Sequence, residues 1–223
     1  MEKEIIITSD GSTTIYIPEW KEHYHSTHGA IQESNHVFIK HGLNLLKTDS
    51  NIDILELGFG TGLNCFITYL FAKEHHLNID YTAVEAYPLK PEEIQQLNYV
   101  TALNATKEHD VFDQMHSLPW EEKHHISQFF TLVKREKFIE AINDHNKYNL
   151  IYFDAFGPQV QPELWTEIIF YNMYSALKPG GILVTYSAKG SVRRAMQAVG
   201  FKVERLAGPP GKREMLRGVK YSK

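Results

Sequence analysis

The sequence predicts an α/β fold: a mostly parallel, seven-stranded sheet wrapped by helices and ended by an antiparallel C-terminal hairpin. Three observations carry this. From Ile52 onward, short apolar runs alternate with segments of helical period, the pattern of a parallel sheet whose crossovers are helices. The first run, Ile52 to Leu57, leads into Gly58, Gly60 and Gly62, three glycines that let a strand turn tightly into a helix while backbone amides approach a ligand. Past Gly200 the alternation stops, and two strand-like runs are joined by Gly208-Pro209-Pro210-Gly211.

In chain order, Glu4 to Ile7 and Thr13 to Ile17 flank Ser9-Asp10-Gly11-Ser12, where Asp-Gly supplies a hairpin turn. Between Trp20 and Leu46, helical spacing at Ile31, Asn35, Phe38 and Ile39 predicts a capping helix after a loop. The alternating core follows: strand 52–57, helix 62–75, strand 79–84, helix 89–104, strand 129–134, helix 136–145, strand 149–153, helix 162–177, strand 181–187 and helix 190–199. The stretch 105–128 has no clear period and reads as an insertion loop. Phe201 to Leu206 and Glu214 to Val219 form the closing hairpin. A chain of 223 residues with 43% hydrophobic content suits one sizeable core. The expectation is one compact domain, with residues 1–48 as hairpin and cap and 49–223 as the core.

Composition excludes several classes. The apolar runs are too short to span a bilayer, and Met1-Glu2-Lys3-Glu4 lacks the order of a signal peptide, so a cytoplasmic protein is expected. A single cysteine, Cys65, rules out an internal disulfide framework, and no basic neighbour marks it as a nucleophile. The histidines of His23-x-His25-x-x-His28 lack a nearby cysteine or carboxylate to complete a zinc-like set, so no metal is expected. The net charge of −4 conceals a division: from Lys178 onward, eleven Lys or Arg face only Glu204 and Glu214, a balance of +9 that leaves −13 for residues 1–177. Such asymmetry suggests a polyanion-facing surface at the C-terminal end, against the alternative of ordinary solvated faces.

Open parallel sheets bind ligands beyond the carboxyl ends of their strands, so residues after Leu57, Val84, Phe153 and Tyr186 should converge on one cleft. The glycine spacing is G-x-G-x-G, and Glu56 before it suits a cofactor with an ammonium and ribose hydroxyls, as S-adenosylmethionine has, better than a pyrophosphate. Glu85, about 20 residues past the turn at a strand end, is the expected ribose acceptor. The next tip, Asp154-Ala155-Phe156-Gly157-Pro158, brings an acid and an aromatic beside the cofactor. Asp154 can accept a hydrogen bond or proton from an attacking amine, and Phe156 can stack on a base. Trp20 and Tyr24 are candidate lid aromatics.

These residues together resemble the MnmC/MnmD family, the tRNA 5-methylaminomethyl-2-thiouridine methyltransferases. The matching stretches are Gly29 to Phe38, Glu56 to Asn64, Val84 to Leu89, Phe153 to Pro158 with Pro162 to Trp165, Ser187 to Arg194, and Gly211 to Leu216. The glycine turn is common to many methyltransferases; the Asp-x-Phe-x-Pro block with Val-Arg-Arg and Lys-Arg-Glu-Met-Leu is specific. The resemblance implies a Rossmann-like class I fold and methyl transfer from S-adenosylmethionine, leaving S-adenosylhomocysteine, to the exocyclic amine of 5-aminomethyl-2-thiouridine at the wobble position in a tRNA anticodon loop. Within these stretches the cofactor candidates are Glu56, Gly58, Gly60, Thr61, Gly62, Asn64, Glu85, Ala86 and Asp154, and Glu136 is a further candidate outside them. The candidates facing substrate or tRNA are Tyr24, Glu33, Pro158, Trp165, Tyr186, Lys189, Arg193, Arg194, Lys212 and Arg213, with Asp154 and Phe156 at the reacting base.

Two features depart from the family. No flavin-dependent oxidase segment follows the methyltransferase stretch in the sequence, so no flavin is expected and a separate enzyme must generate the aminomethyl substrate. Where relatives carry Gly-Asp after the third core strand, this chain has Lys134-Arg135-Glu136-Lys137, and Glu136 is the only acid there to meet the adenine. The competing readings are a methyltransferase of the same fold acting on a small amine or another RNA position, and a non-catalytic RNA-binding protein that uses the cofactor.

Overall fold

The computed structural model describes residues 2–221. Its centre is an eight-stranded sheet built from β4 (Asn51–Leu57), β5 (Asn78–Glu85), β6 (Lys123–Ser127), β7 (Phe130–Glu136), β8 (Tyr148–Phe153), β9 (Leu177–Thr185), β10 (Lys202–Ala207) and β11 (Glu214–Val219). The order is β10-β11-β9-β8-β4-β5-β7-β6, with the five central strands parallel and β6, β10 and β11 antiparallel to their neighbours. The strand order reverses between β4 and β8, which opens a crevice where the first two parallel halves meet.

Strand alternation divides the core. Ile52 and Ile54 of β4 face one apolar layer with Phe38, Phe66, Tyr81 and Tyr152. Leu55 and Leu57 face the other, with Ile151, Phe153, Trp165 and Phe170. Both faces of a central parallel strand are therefore dry, which is why β8 reads as the apolar run Leu150-Ile151-Tyr152-Phe153. Helix α2 (Leu63–His75) covers the first layer, and α6 (Glu167–Ala176) and α7 (Gly190–Ala198) cover the second.

Several segments differ from the sequence expectation. The 105–128 stretch is not a loop: it carries helix α5 (His109–Ser117) and the edge strand β6, which pairs His124 with Leu132 and His125 with Thr131. The expected 89–104 helix is broken into α3 (Pro91–Ile94) and α4 (Tyr99–Ala102), because Asn98 turns out of helical geometry to serve the N-terminal ribbon. Its side-chain oxygen accepts the Thr13 amide at 2.8 Å, and its amide nitrogen donates to the Gly11 carbonyl at 2.9 Å. The 136–145 helix is absent; β7 keeps its pairing with β5 as far as Glu85 and Glu136, and a single 3₁₀ turn follows at Ile139–Ala141. The 162–177 helix is divided into a 3₁₀ turn, Pro162–Trp165, and α6.

The N-terminal hairpin, β1 (Glu4–Ile7) with β2 (Thr13–Ile17), gains a third strand, β3 (Glu22–His23). The cap is short: α1 (Ala30–Ser34) runs into a π-helical turn at Asn35–Lys40 and a 3₁₀ turn at Leu43–Leu46. Among the described residues no helix is long and apolar enough to cross a membrane.

Candidate active site

The tips of β4, β5, β8 and β9 enclose a cavity of about 630 Å³, roofed by the N-terminal ribbon and cap through Lys3, Trp20 and Tyr24. Its floor depends on the glycine turn. Gly58 has φ +88°, and a Cβ there would stand 2.7 Å from the Asp154 carbonyl oxygen, so the tips of β4 and β8 close only around a glycine. The Gly58 and Phe59 amides both donate to the Val84 carbonyl, at 2.9 and 3.1 Å, which seats the turn on the end of β5. Gly60, at φ +48°, lies under the Tyr24 ring, and Gly62, at φ +73°, starts α2.

Glu85 ends β5 facing the cavity. One carboxylate oxygen accepts the Gly60 amide at 3.0 Å and the other accepts the Tyr87 amide at 2.9 Å. Each oxygen has a second lone pair left to accept a ligand hydroxyl. Ala86 and Thr61 also line the cavity. Thr61 is held from the cap by the His25 Nε2, 2.8 Å away, and burial lowers that imidazole to about 4, so it is neutral.

At the β8 tip, the Asp154 amide donates to the Leu57 carbonyl at 3.0 Å and its Oδ2 accepts the Asn64 side-chain amide at 2.8 Å. Burial raises the Asp154 carboxyl to about 7, with Glu33 adding to the rise while the Asn64 bond and Lys212 oppose it. A carboxyl near 7 interconverts between acceptor and acid at working pH, as general acid–base chemistry requires. The next two residues are pinned: the Tyr186 hydroxyl donates to the Ala155 carbonyl at 2.9 Å, and the Trp165 indole donates to the Phe156 carbonyl at 2.8 Å. The Phe156 ring then faces the cavity edge-on to Trp20 and Tyr24, with centroids 5.2 and 5.1 Å away.

The sequence candidates are not all brought together. Gly58, Gly60, Thr61, Glu85, Ala86, Asp154, Phe156, Tyr24 and Tyr186 line the cavity. Glu56 lies beneath it, fully buried on β4, and burial raises its carboxyl well above the ordinary range while Tyr81 and Asn64 oppose the rise. Glu136 does not reach the cavity; Phe138, Ile139 and Glu140 line that side. Trp165 belongs to the core, and Pro158 stands outside the lining. Gly62 and Asn64 do not line the cavity: Gly62 starts α2, and Asn64 donates to Asp154.

Of the basic candidates, Lys189 donates to the Gln159 side chain at 2.9 Å, and Arg194 and Arg213 are exposed and make no ion pair among the described residues. Arg193 is half-buried, with its Nε unpartnered. Lys212 and Glu33 pair with each other. Two cations of the +9 segment are neutralised by acids outside it, Lys178 by Asp53 and Lys212 by Glu33, while Arg205 and Arg217 hold Glu214 and Glu204, the two acids already counted in that balance. The three histidines of the metal-like spacing serve separate contacts: His23 stacks on Tyr16, His25 meets Thr61 and His28 lies against Gly211.

Sequence reasoning missed Lys134. It is fully buried on β7, donates to the His116 carbonyl at 2.7 Å and stands 4.8 Å from the Trp120 ring centroid and 5.8 Å from that of Phe59 in the glycine turn. Burial lowers its ammonium to about 8. It ties the end of α5 to the back of the turn, and His116 fills the space beside Gly62. A lysine in a strand ordinarily reads as solvated, so only the alternation of Phe130, Leu132 and Lys134 on one buried face gave a signal.

The fold and cleft define a Rossmann-like methyltransferase of class I. The turn is a cradle that a Cβ would fill, the acid at the β5 tip can accept ribose hydroxyls, and the cavity suits a nucleoside of this size; together they fit S-adenosylmethionine. The chain belongs to the S-adenosyl-L-methionine-dependent methyltransferase family whose model matches residues 108–221. Over 217 residues it is 32% identical to the tRNA 5-methylaminomethyl-2-thiouridine biosynthesis bifunctional protein MnmC of Leptospira borgpetersenii, covering 89% of this chain and 32% of that protein. The chain thus spans about a third of the length of the curated relatives it matches. The crystal structure of MNMC2 from Aquifex aeolicus superposes with a TM-score of 0.78 at 26% identity, covering all of this chain and 72% of that one. Spermidine synthase from Thermotoga maritima, at TM-score 0.55 and 12% identity over the whole chain and 73% of its own, shares the fold alone.

Proposed function

We propose that this methyltransferase acts on tRNA, methylating the exocyclic amine of 5-aminomethyl-2-thiouridine at the wobble position. The observation that carries the reading is the β8 tip: Asp154, raised to about 7, and Phe156, facing the cavity, both pinned beside the glycine turn. The similarity to the Leptospira protein, whose name specifies tRNA 5-methylaminomethyl-2-thiouridine biosynthesis, supports the substrate. The cofactor supplies an electrophilic methyl on a sulfonium. The chain's own part is to hold an amine in line with it and take its proton, and positioning within about 3–3.5 Å carries much of the rate. Asp154, as carboxylate, accepts the amine N–H and receives the proton. Phe156, Tyr24 and Trp20 give the uracil ring aromatic faces and edges. An anticodon loop presents bases already unstacked, so capture needs little flipping energy.

Purified protein, cofactor and tRNA carrying 5-aminomethyl-2-thiouridine are expected to yield a nucleoside heavier by one CH₂, read by mass spectrometry after digestion. Binding without turnover on verified substrate would retire the reading. Docking of the RNA is assigned to exposed cations beside the cleft. Arg213→Ala is expected to weaken tRNA binding and flatten the log–log salt dependence by roughly one unit. Lys212→Met is expected to leave that slope unchanged, because its ammonium is already engaged by Glu33 and the Tyr186 ring. Equal slopes for Arg213→Ala and the wild type in a salt titration would remove Arg213 from the interface.

A further inference from the structure

Behind the cleft floor lies an ion pair between segments 179 positions apart. Lys212, in the connection between β10 and β11, donates to a carboxylate oxygen of Glu33 on α1, whose side chain is only 7% exposed. The other Glu33 oxygen accepts the Ser26 amide at 2.8 Å. The Lys212 Nζ also stands 3.8 Å from the centroid of the Tyr186 ring. Tyr186 lines the cavity, and its hydroxyl holds the Ala155 carbonyl, one residue from Asp154. The pair is therefore one aromatic ring away from the reacting end of β8.

Stability does not account for this arrangement, because desolvating two charges consumes most of what their attraction returns. Phosphate binding does not account for it either, since the ammonium is occupied from two sides. We propose that Glu33 and Lys212 form a positioning pair for methyl transfer, which fixes the 154–155 backbone through Tyr186 and balances the charge facing the Asp154 carboxylate. The proposal rests on the reading of Asp154 as the amine's acceptor. The groups facing Asp154 are Asn64 from α2, Glu56 from β4, Glu33 from α1, Lys212 from the hairpin and Tyr186 after β9. Of these, Asn64 carries no charge and burial disfavours the charged form of Glu56, and Glu33 and Lys212 are joined as an opposed pair. Glu33 favours protonated Asp154 and Lys212 favours the carboxylate, so removing either exposes the other.

The test is a carbon-13 NMR titration of the aspartate carboxyls in the full chain, with Asp154 assigned by the resonance lost in Asp154→Asn. Against the wild-type midpoint, Glu33→Gln is expected to move Asp154 down and Lys212→Met up, each by roughly half a unit to one unit. Lys212→Arg is expected to keep it close to wild type. Coincident midpoints for the wild type, Glu33→Gln and Lys212→Met, or shifts of one sign, overturn the proposal; a purely structural pair would slow turnover without moving the titration. If Lys212→Met does not fold, the downward shift in Glu33→Gln decides alone. The titration needs no RNA, so failed transfer to aminomethyl-uridine tRNA by wild-type protein would retire the substrate and be distinguishable from failure of the pair.

Discussion

Replacing Asp154 with Ala is expected to lower the methyl-transfer rate by about 10²–10⁴-fold while changing S-adenosylmethionine affinity only a few-fold. In the proposed reading the side chain that is removed faces the acceptor, whereas the glycine turn and Glu85 would hold the cofactor. The wild-type rate should rise with pH through about 7, because the carboxylate is the form that accepts the amine's proton. The same group sets a stability trend of opposite sign. Its carboxyl is raised in the folded chain from an ordinary 3.8 to about 7, so the folded state binds the proton more tightly than the unfolded state. That contribution is complete below the unfolded value and is lost as pH rises through the folded one. Above pH 7, Asp154→Asn should therefore melt higher than wild type, by an amount on the order of a few kcal/mol, while being nearly inactive. A variant with near-wild-type turnover would remove Asp154 from the mechanism; an unchanged melting difference from pH 5 to pH 8 would contradict the burial argument.

How far the sequence disclosed this site depends on whether each signal was local. The central strands were legible because burial on both faces leaves largely apolar runs such as Leu150-Ile151-Tyr152-Phe153, and the glycine turn because its backbone excludes side chains. Glu85 and Asp154 followed from the rule that ligands gather at strand ends. Edge strand β6, Lys-His-His-Ile-Ser, was illegible because its polar residues suit a solvated edge and carry little alternation. The split of the 89–104 helix lay in a contact between Asn98 and Thr13, which no local pattern encodes. Lys212 and Glu33 were read as separate candidates facing substrate or tRNA, because their pairing exists only once the hairpin closes over the cap. Glu56 looked like a ligand contact from its position before the turn; strand alternation instead directs it into the protein, beneath the cavity.

Gly58→Val is expected to abolish cofactor binding, and it tests the coupling between the two halves of the site. A β-branched residue at φ +88° costs on the order of 1–3 kcal/mol in backbone strain alone, equivalent to about 5–150-fold in an equilibrium constant. The added Cβ must also displace the Asp154 carbonyl, 2.7 Å away, and that neighbour is backbone that cannot swing aside. The β8 tip would then retreat, taking Asp154 from its Leu57 bond and the Ala155 and Phe156 carbonyls from Tyr186 and Trp165. Gly60→Val provides the contrast. Its φ of +48° is likewise unfavourable, but the nearest obstacle is the Tyr24 ring at 3.1 Å, a side chain able to yield. Gly60→Val should therefore weaken binding by strain and by crowding the cofactor, without disturbing the Asp154 titration, whereas Gly58→Val should disturb both. Isothermal calorimetry with S-adenosylmethionine, paired with thermal melts to confirm folding, distinguishes the two. Undiminished heat of binding in folded Gly58→Val protein would mean that the cofactor does not lie on this turn, because the clash is with the strand tip that forms the other wall of the same cleft.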